Sequence, residues 1–303
     1  MRPAITLQIA ATIAVFVATL FMASPGPALA ASEPEPEAPA QNLAQLYPLP
    51  LIATGTEVAA EEFSFMVSVQ LGGGHYCSGA LIKPDWVLTS ARCVAHHQAG
   101  AQVRLGSEQI MSEHSLISIQ KILRHPLYQY HSHQHDIALL QLAGAAPAQF
   151  RPLQLPNARV MAQLVYPGVY LKSASWGALN ARGEAAEQLL QQSLPLQAHI
   201  NCNGPTAYQG AVLPSMLCLG FARGDNNNCV ADSGAPLLGF YQGNYYHLGV
   251  ASFGQSCTQT DDVAVLNNHS ADAWHATRSG NYTIFSSSWF YLDWLEAALS
   301  GNN

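Results

Sequence analysis

The segment Trp86–Val94 reads WVLTSARCV, a short hydrophobic run followed by small residues, an arginine and a cysteine. Aromatic and β-branched residues in a short run of this kind favour a buried β-strand. Arg92 stands directly before Cys93, after the small residues that follow the predicted strand. Arginine keeps its proton at all accessible pH values and has five N–H donors but no acceptor, so it cannot act as a base.

Similar short, β-prone segments recur from Ile52 onward and are separated by Gly, Pro, Asn or Ser. They include FSFMVSVQL (63–71), HYCSGALI (75–82), HDIALLQL (135–142), HLGVASF (247–253) and NYTIFSSS (281–288). The last segment, WFYLDWLEAALSG (289–301), differs because its large apolar residues fall near helical spacing and Gly301 suits a C-cap. The pattern predicts an all-β chain with a terminal α-helix.

The chain begins with an apolar run that contains only Arg2 as a charged residue and ends in Ala28-Leu29-Ala30. This arrangement predicts a secretory signal peptide at 1–30, cleaved after Ala30, and hence a secreted or periplasmic protein. The alternative is a membrane anchor, which the short apolar core and the small residues at the cleavage position disfavour. Residues 31–51 are rich in Pro, Ala and Glu and are interpreted as a pro-segment or linker.

Composition limits the class of partner. The chain has 49% hydrophobic residues, only 10% charged residues and a formal net charge of −7. Such a chain buries a sizeable core but has no basic stripe, so we expect no nucleic-acid partner and, after signal cleavage, no membrane partner. An exported protein is expected to pair its six cysteines, although spacing alone leaves fifteen connectivities open.

Four segments in order resemble the chymotrypsin/trypsin-like serine proteases from Ile52 to the C-terminus. They are SGALIKPDWVLTSARC (78–93), HPLYQYHSHQHDIALLQL (125–142), SMLCLGFARGDNNNCVADSGAPLLG (215–239) and GVASFGQSC (249–257). The resemblance implies two packed six-stranded antiparallel β-barrels within 52–303, with the cleft between them and a C-terminal α-helix. The first barrel is expected at about 52–160, the second at about 161–288 and the helix at about 289–300. It also implies a monomer and the disulfides Cys77–Cys93, Cys202–Cys218 and Cys229–Cys257.

Catalysis in this family requires a serine nucleophile, an imidazole that takes its proton, and a carboxylate that orients the imidazole. The resemblance places the serine at Ser233 and the carboxylate at Asp136, but it places Arg92 at the imidazole position. Arg92 cannot deprotonate Ser233, whereas it is suited to a charge-assisted pair with Asp136. We therefore expect Arg92 to be non-functional as a base and to form a buried ion pair.

Two further departures point the same way. The resemblance assigns the oxyanion hole to the N–H groups of Ala231 and Ser233, and Ala231 replaces a family glycine that leaves room for the substrate. It also predicts that activation frees the amine of Ile52 to pair with Asp232. No Lys or Arg occurs in 31–51, so a trypsin-like activator has no bond to cut there.

The resemblance assigns the primary specificity pocket to Asn227, Ser252, Phe253 and Gly254. A neutral Asn227 at the floor predicts no strong preference for Lys or Arg, while Phe253 is suited to stacking on a bound side chain. The run from 258 to 279 is interpreted as an insertion, and its Asp261 and Asp262 are alternative sources of negative charge.

Histidines near these motifs leave two alternatives open. His96 and His97 follow Arg92 closely, and a displaced imidazole there is an alternative base, disfavoured because a helical turn of about 5.4 Å misplaces it. His131, His133 and His135 would share one face of a strand and form a zinc or copper site. A solvated loop beside the cleft is the favoured interpretation, with no metal and no cofactor.

These observations lead to two functional hypotheses. The first is a secreted serine protease homologue, catalytically inactive, that binds a protein or peptide in its cleft. The second is an active endopeptidase of low or unconventional activity that hydrolyses peptide bonds. Arg92, Ala231 and the missing basic activation site favour the first hypothesis.

Overall fold

The computed structural model describes residues 56–59, 62–95, 100–106, 116–176, 188–221, 232–254 and 281–301, which belong to one compact unit. The described elements are mostly β-strands. The strands are β1 Thr56–Glu57, β2 Met66–Leu71, β3 Gly74–Lys83, β4 Trp86–Thr89, β5 Gln102–Leu105, β6 Leu116–Arg124, β7 Ala138–Leu142, β8 Tyr170–Ser175, β9 Leu190–Pro195, β10 Met216–Phe221, β11 Pro236–Tyr241, β12 Asn244–Gly254 and β13 Asn281–Ser287. The helices are α1 Ala158–Leu164, α2 His199–Cys202, α3 Leu292–Leu299 and a 3-10 helix at Arg92–Val94.

The first half of the molecule is a closed antiparallel barrel with the strand order β2-β3-β4-β7-β6-β5. It closes because β5 pairs with β2 through Val67 opposite Leu105 and Val69 opposite Val103. These side chains are buried together with Met66. Hydrophobic residues from several strands thus meet inside the barrel, which explains why the sequence shows many short apolar runs.

The second half is a seven-stranded sheet with the order β1-β9-β8-β11-β12-β13-β10. The all-β, trypsin-like fold is therefore confirmed, although this half differs from the closed six-stranded barrel that was expected. The two-residue strand β1 extends the edge beyond β9. Residues just after β9 contact β10 through the Leu196–Leu219 bridge, the Gln197 N–H bond to the Cys218 carbonyl, 2.8 Å, and the Gln197 Nε2 bond to the Gly220 carbonyl, 2.7 Å. Pro195, which ends β9, has no N–H to continue that ladder.

Helix α3 packs against the first barrel and β12. Its Leu295 and Ala298 are buried and join a cluster with Leu88, Leu139 and Val250. The helix begins at Leu292, later than the sequence spacing predicts, and Trp289 precedes it. Among the helices of the described ranges, none has the length and apolar character needed to cross a bilayer.

Two of the disulfides implied by the resemblance are present. Cys77–Cys93 joins β3 to the 3-10 helix, and Cys202–Cys218 joins α2 to β10. Each closes a sequence separation of 16 residues, which stabilises by about 3 kcal/mol through the unfolded state. Cys229 and Cys257 lie outside the described residues.

His247 lies in β12 and is completely buried. Its Nδ1 is 2.8 Å from the Ser288 hydroxyl, while Nε2 has no hydrogen-bond partner among the described residues. Burial lowers the pKa of His247 from 6.5 to about 3. The native protein therefore holds this imidazole neutral at pH values where an unfolded histidine takes up a proton.

We predict that acidification from pH 7 to pH 5 destabilises the protein through His247. Between pH 6.5 and about 3 the unfolded chain binds one more proton than the native chain at this residue, so stability falls as pH falls, by up to about 1.4 kcal/mol per pH unit. Urea denaturation at both pH values should show a smaller loss in His247→Gln. The exposed control His131→Gln should behave as wild type, and an unchanged loss in His247→Gln would contradict the prediction.

Candidate functional site

Asp136 is fully buried at the start of β7 and both of its carboxylate oxygens accept hydrogen bonds. Oδ1 accepts from the backbone N–H of Arg92 at 2.8 Å, and Oδ2 accepts from the Ser252 hydroxyl at 2.6 Å. Burial raises the pKa of Asp136 above its ordinary value, and these hydrogen bonds and the Arg92 charge oppose that rise. Asp136 therefore ties the first barrel to β12 through these two hydrogen bonds.

The Arg92 side chain takes a different partner from the one expected. Its Nη1 donates to the backbone carbonyl of Ser252 at 2.9 Å, and the described residues contain no side-chain ion pair between Arg92 and Asp136. In place of the expected ion pair between the side chains of Arg92 and Asp136, the Asp136 oxygens accept hydrogen bonds from the Arg92 backbone N–H and the Ser252 hydroxyl. The guanidinium instead bonds to the carbonyl of the same serine that holds Asp136.

Ser233 lies at a tight turn against the first barrel. Its carbonyl accepts from the Ser78 N–H at 3.0 Å, and the Gly234 N–H donates to Ala251 at 2.8 Å. Gly234 has a φ of +87°, and a Cβ there would overlap the Ser78 carbonyl and the Thr89 hydroxyl. The Ser233 side chain is half-buried, and its hydroxyl makes no hydrogen bond to another described residue.

Asp232 is held by residues that the sequence analysis did not single out. Its Oδ2 is 2.8 Å from His75 Nε2 and accepts from the Ser78 hydroxyl at 3.2 Å. The other ring nitrogen of His75 is 2.8 Å from the Ser68 hydroxyl. The only sequence signal was a histidine two residues before Cys77, which is too weak to find this contact.

The serine, imidazole and carboxylate of Ser68, His75 and Asp232 form a continuous hydrogen-bonded chain without access to a substrate. Ser68 is 1% exposed, and the side chains of His75 and Asp232 are 7% and 16% exposed. The chain is therefore structural: it satisfies the Asp232 carboxylate from the first barrel. Ile52, the predicted partner of Asp232, lies outside the described residues.

Three residues that were predicted to line a specificity pocket, Ser252, Phe253 and Gly254, lie at the end of β12. Phe253 packs edge-on against Tyr208 at 5.4 Å and stacks on His133 at 5.3 Å between ring centroids. Ser252 points to Asp136, so its hydroxyl supports that carboxylate, and Gly254 ends the strand. Asn227 and Ala231 lie outside the described residues, as do Asp261 and Asp262.

The three alternating histidines do not share one face. Residues 131–135 form turns rather than a strand, and both His133 and His135 have positive φ. His131 packs against Tyr130, whereas His135 stacks on His125. Because the rings diverge toward different neighbours, the strand geometry assumed for a metal site is wrong. His96 and His97 lie outside the described residues.

His125 and His135 instead belong to an aromatic cluster under α3. His125 stacks on His135 at 4.8 Å and packs edge-on against Tyr291 and Trp294 at 5.1 Å each. The Tyr291 hydroxyl lies 3.2 Å from His135 Nδ1. Burial and the neighbouring His135 lower the pKa of His125 to about 4. The cluster fixes the loop that leads into Asp136.

Chemically, this arrangement sets the N–H donors of Arg92 beside the fully buried carboxylate of Asp136. Arg92 offers only N–H groups, and each oxygen of the fully buried Asp136 already accepts a hydrogen bond. The site is consequently suited to holding groups that accept hydrogen bonds. Within the described residues it contains no cluster of three or more metal-ligating side chains.

Comparisons with known proteins agree with the fold. The family model described as Trypsin matches residues 52–274. The chain is 34% identical over 211 residues to Trypsin 5G1 of Aedes aegypti, covering 69% of this chain and 77% of that protein. It is 32% identical over 234 residues to Transmembrane protease serine 11E of Mus musculus, covering 76% and 55%. It is 35% identical over 190 residues to Granzyme M of Homo sapiens, covering 62% and 73%.

We predict that Gly234→Ala destabilises the protein far more than Gly243→Ala, although both glycines have similar positive φ values of +87° and +81°. A Cβ at Gly243 meets nothing within 4 Å, so its backbone strain is about 1 to 2 kcal/mol. A Cβ at Gly234 adds an overlap with Ser78 and Thr89. Urea denaturation of both variants measures the difference, and equal losses would contradict the assigned close approach.

Proposed function

We propose that this chain, which belongs to the trypsin family of serine proteases, is a secreted or periplasmic member that does not hydrolyse peptide bonds. It acts by binding a protein or peptide in the cleft that family members use for substrates. The observation that carries the proposal is the Arg92 guanidinium bonded to the Ser252 carbonyl at 2.9 Å, beside the buried carboxylate of Asp136. A cation without an acceptor occupies the position at which this family requires a base.

The hydrogen bonds of Ser233 and Asp136 support inactivity. A serine hydroxyl is a weak nucleophile unless a base takes its proton, and the Ser233 hydroxyl has no hydrogen-bond partner among the described residues. Asp136 does not take over the role of the base that removes the Ser233 proton, because it is completely buried and each of its oxygens already accepts a hydrogen bond. The proposal assigns Ser233 a vestigial role and Asp136 a structural one.

The Asp232 contacts support a second obstacle to catalytic activity, of the kind found in a protease precursor before its activating cleavage. Its carboxylate is engaged by His75 and Ser78, so an incoming amine of Ile52 would have to displace them. We propose that Asp232 stays with His75 because residues 31–51 offer no basic residue for a trypsin-like activator. The Ile52–Asp232 pair then forms only if a protease of different specificity cuts after Leu51.

The second candidate function is a serine endopeptidase of low activity. It is favoured by the hydrogen bond between Ser252 and Asp136 at 2.6 Å and by the fixed turn at Ser233, which preserve the supports of a working site. The methyl group of Ala231, which replaces a glycine at the oxyanion hole in our proposal, disfavours it by crowding the substrate or turning the N–H donor away, and loss of one such donor lowers rates by about 100- to 1000-fold. The two candidates differ in whether any group near Ser233 accepts a proton.

We predict that the purified protein does not react with a fluorophosphonate probe and does not hydrolyse peptide esters. The reason is the missing proton acceptor beside Ser233. Mass spectrometry of the probe-treated protein checks it, with an active trypsin as positive control and Ser233→Ala as negative control. Labelling of Ser233 at the rate of the active enzyme, absent in Ser233→Ala, would establish the endopeptidase instead.

We predict that Arg92→His alone gives feeble activity and that Arg92→His combined with Ala231→Gly, with Ile52 as the first residue, gives much more. Base and oxyanion donors act as a unit, so their effects are not additive. Hydrolysis of esters with aromatic, aliphatic and basic residues before the scissile bond is the assay. Equal rates for the single and double variants would refute the role of Ala231, and an active wild type with inactive variants would point to His96.

A further inference from the structure

Arg92 has an unused hydrogen-bonding edge. Among the described residues, only the Ser252 carbonyl bonds to the guanidinium, through Nη1 at 2.9 Å, and Arg92 is half-buried. The Nε and Nη2 donors make no hydrogen bond to any described residue. These two N–H groups point the same way along the flat guanidinium and match the two oxygens of a carboxylate.

The Asp136 carboxylate makes no hydrogen bond to that edge. Its two oxygens face the backbone N–H of Arg92 and the hydroxyl of Ser252, and it is completely buried. The carboxylate therefore bonds to the backbone of Arg92 and, among the described residues, leaves Nε and Nη2 of the guanidinium without a hydrogen bond.

A second arginine adds positive charge to the same region. Arg124 donates from Nη1 to the carbonyl of Ala95 at 3.3 Å, three residues after Arg92. The charges of Arg92 and Arg124 both act on Tyr128, where they oppose the rise in pKa that burial causes. In the described residues, two guanidinium groups thus stand here against one buried carboxylate, although the whole chain has a net charge of −7.

We infer that the cleft binds a carboxylate group of a peptide, held by the Nε and Nη2 edge of Arg92. The inference rests on the proposed function and names the chemistry of its ligand. An active protease must hold a neutral peptide bond at this point, whereas a fixed cation with free donors favours an anion. A C-terminal carboxylate and an Asp or Glu side chain supply the same chemistry.

The test is a binding measurement on the purified protein with fluorescent tetrapeptides varied at the last two positions. One arm carries free C-terminal carboxylates, a second carries the same sequences as amides, and a third carries amides with Asp or Glu at the last position. We expect the best free acids to bind about tenfold or more tightly than their amides. If amides that end in Asp or Glu bind more tightly than neutral amides, while free acids bind no more tightly than their own amides, the ligand is a side-chain carboxylate.

Substitutions locate the site. Arg92→Gln should bring the ratio of acid to amide affinity close to one, and Arg92→Lys should leave an intermediate ratio because it keeps the charge but loses the flat pair of donors. Arg151→Gln removes an exposed arginine and should leave the ratio unchanged. Melting temperatures of all variants check that they are folded. Ser233→Ala should reduce the ratio less than Arg92→Gln.

The inference is overturned if acids, amides and acidic amides bind wild type equally or not at all, or if the preference survives in Arg92→Gln. If Arg92→Gln does not fold, the acid-to-amide affinity ratio is measured in Arg92→Lys instead. A ratio equal to that of wild type in this variant counts against the bidentate geometry. Failure of the proposed function is a separate result, since it appears as fluorophosphonate labelling of Ser233. A chain that resists the probe yet shows no carboxylate preference keeps the proposed function and loses this inference.

Discussion

The buried carboxylate of Asp136 is the interaction on which the site depends. It accepts one bond from the backbone of Arg92, which follows β4, and one from the side chain of Ser252 on β12. A carboxylate without water must have such donors, because an unpaired buried charge is strongly destabilising. These two hydrogen bonds hold the closed barrel and the neighbouring sheet together, and the bond from Arg92 comes from its backbone and not from its side chain.

This backbone bond explains how the arginine is accommodated. Asp136 uses the N–H of Arg92, which every residue except proline possesses, so loss of an imidazole does not leave the carboxylate unpaired. The guanidinium then crosses to the Ser252 carbonyl, so that one serine supports both Asp136 and Arg92. Both oxygens of Asp136 thus keep described donors while the Arg92 guanidinium bonds to a backbone carbonyl.

A second contact between the barrel and the sheet is made by His75 and Asp232. His75 on β3 reaches the residue before Ser233, and Ser68 on β2 holds the opposite ring nitrogen. Close packing at Gly234 against Ser78 and Thr89 fixes the same turn from another side. The position of Ser233 is consequently determined by the barrel, although the residue belongs to the segment leading into β11.

The sequence by itself determined the all-β fold, because short apolar runs are local features. The pairing of the two described disulfides followed from the family resemblance and not from cysteine spacing, and the assignment of Ser233, Asp136 and Arg92 to catalytic positions stays a prediction. Only the tertiary structure decided that Arg92 bonds to the Ser252 carbonyl rather than to the side chain of Asp136, and that His75 holds Asp232. It also showed that His131, His133 and His135 diverge in turns. These outcomes depend on which donors and acceptors remain unpaired once distant strands meet, and the spacing of residues along the sequence does not show which of them will pair.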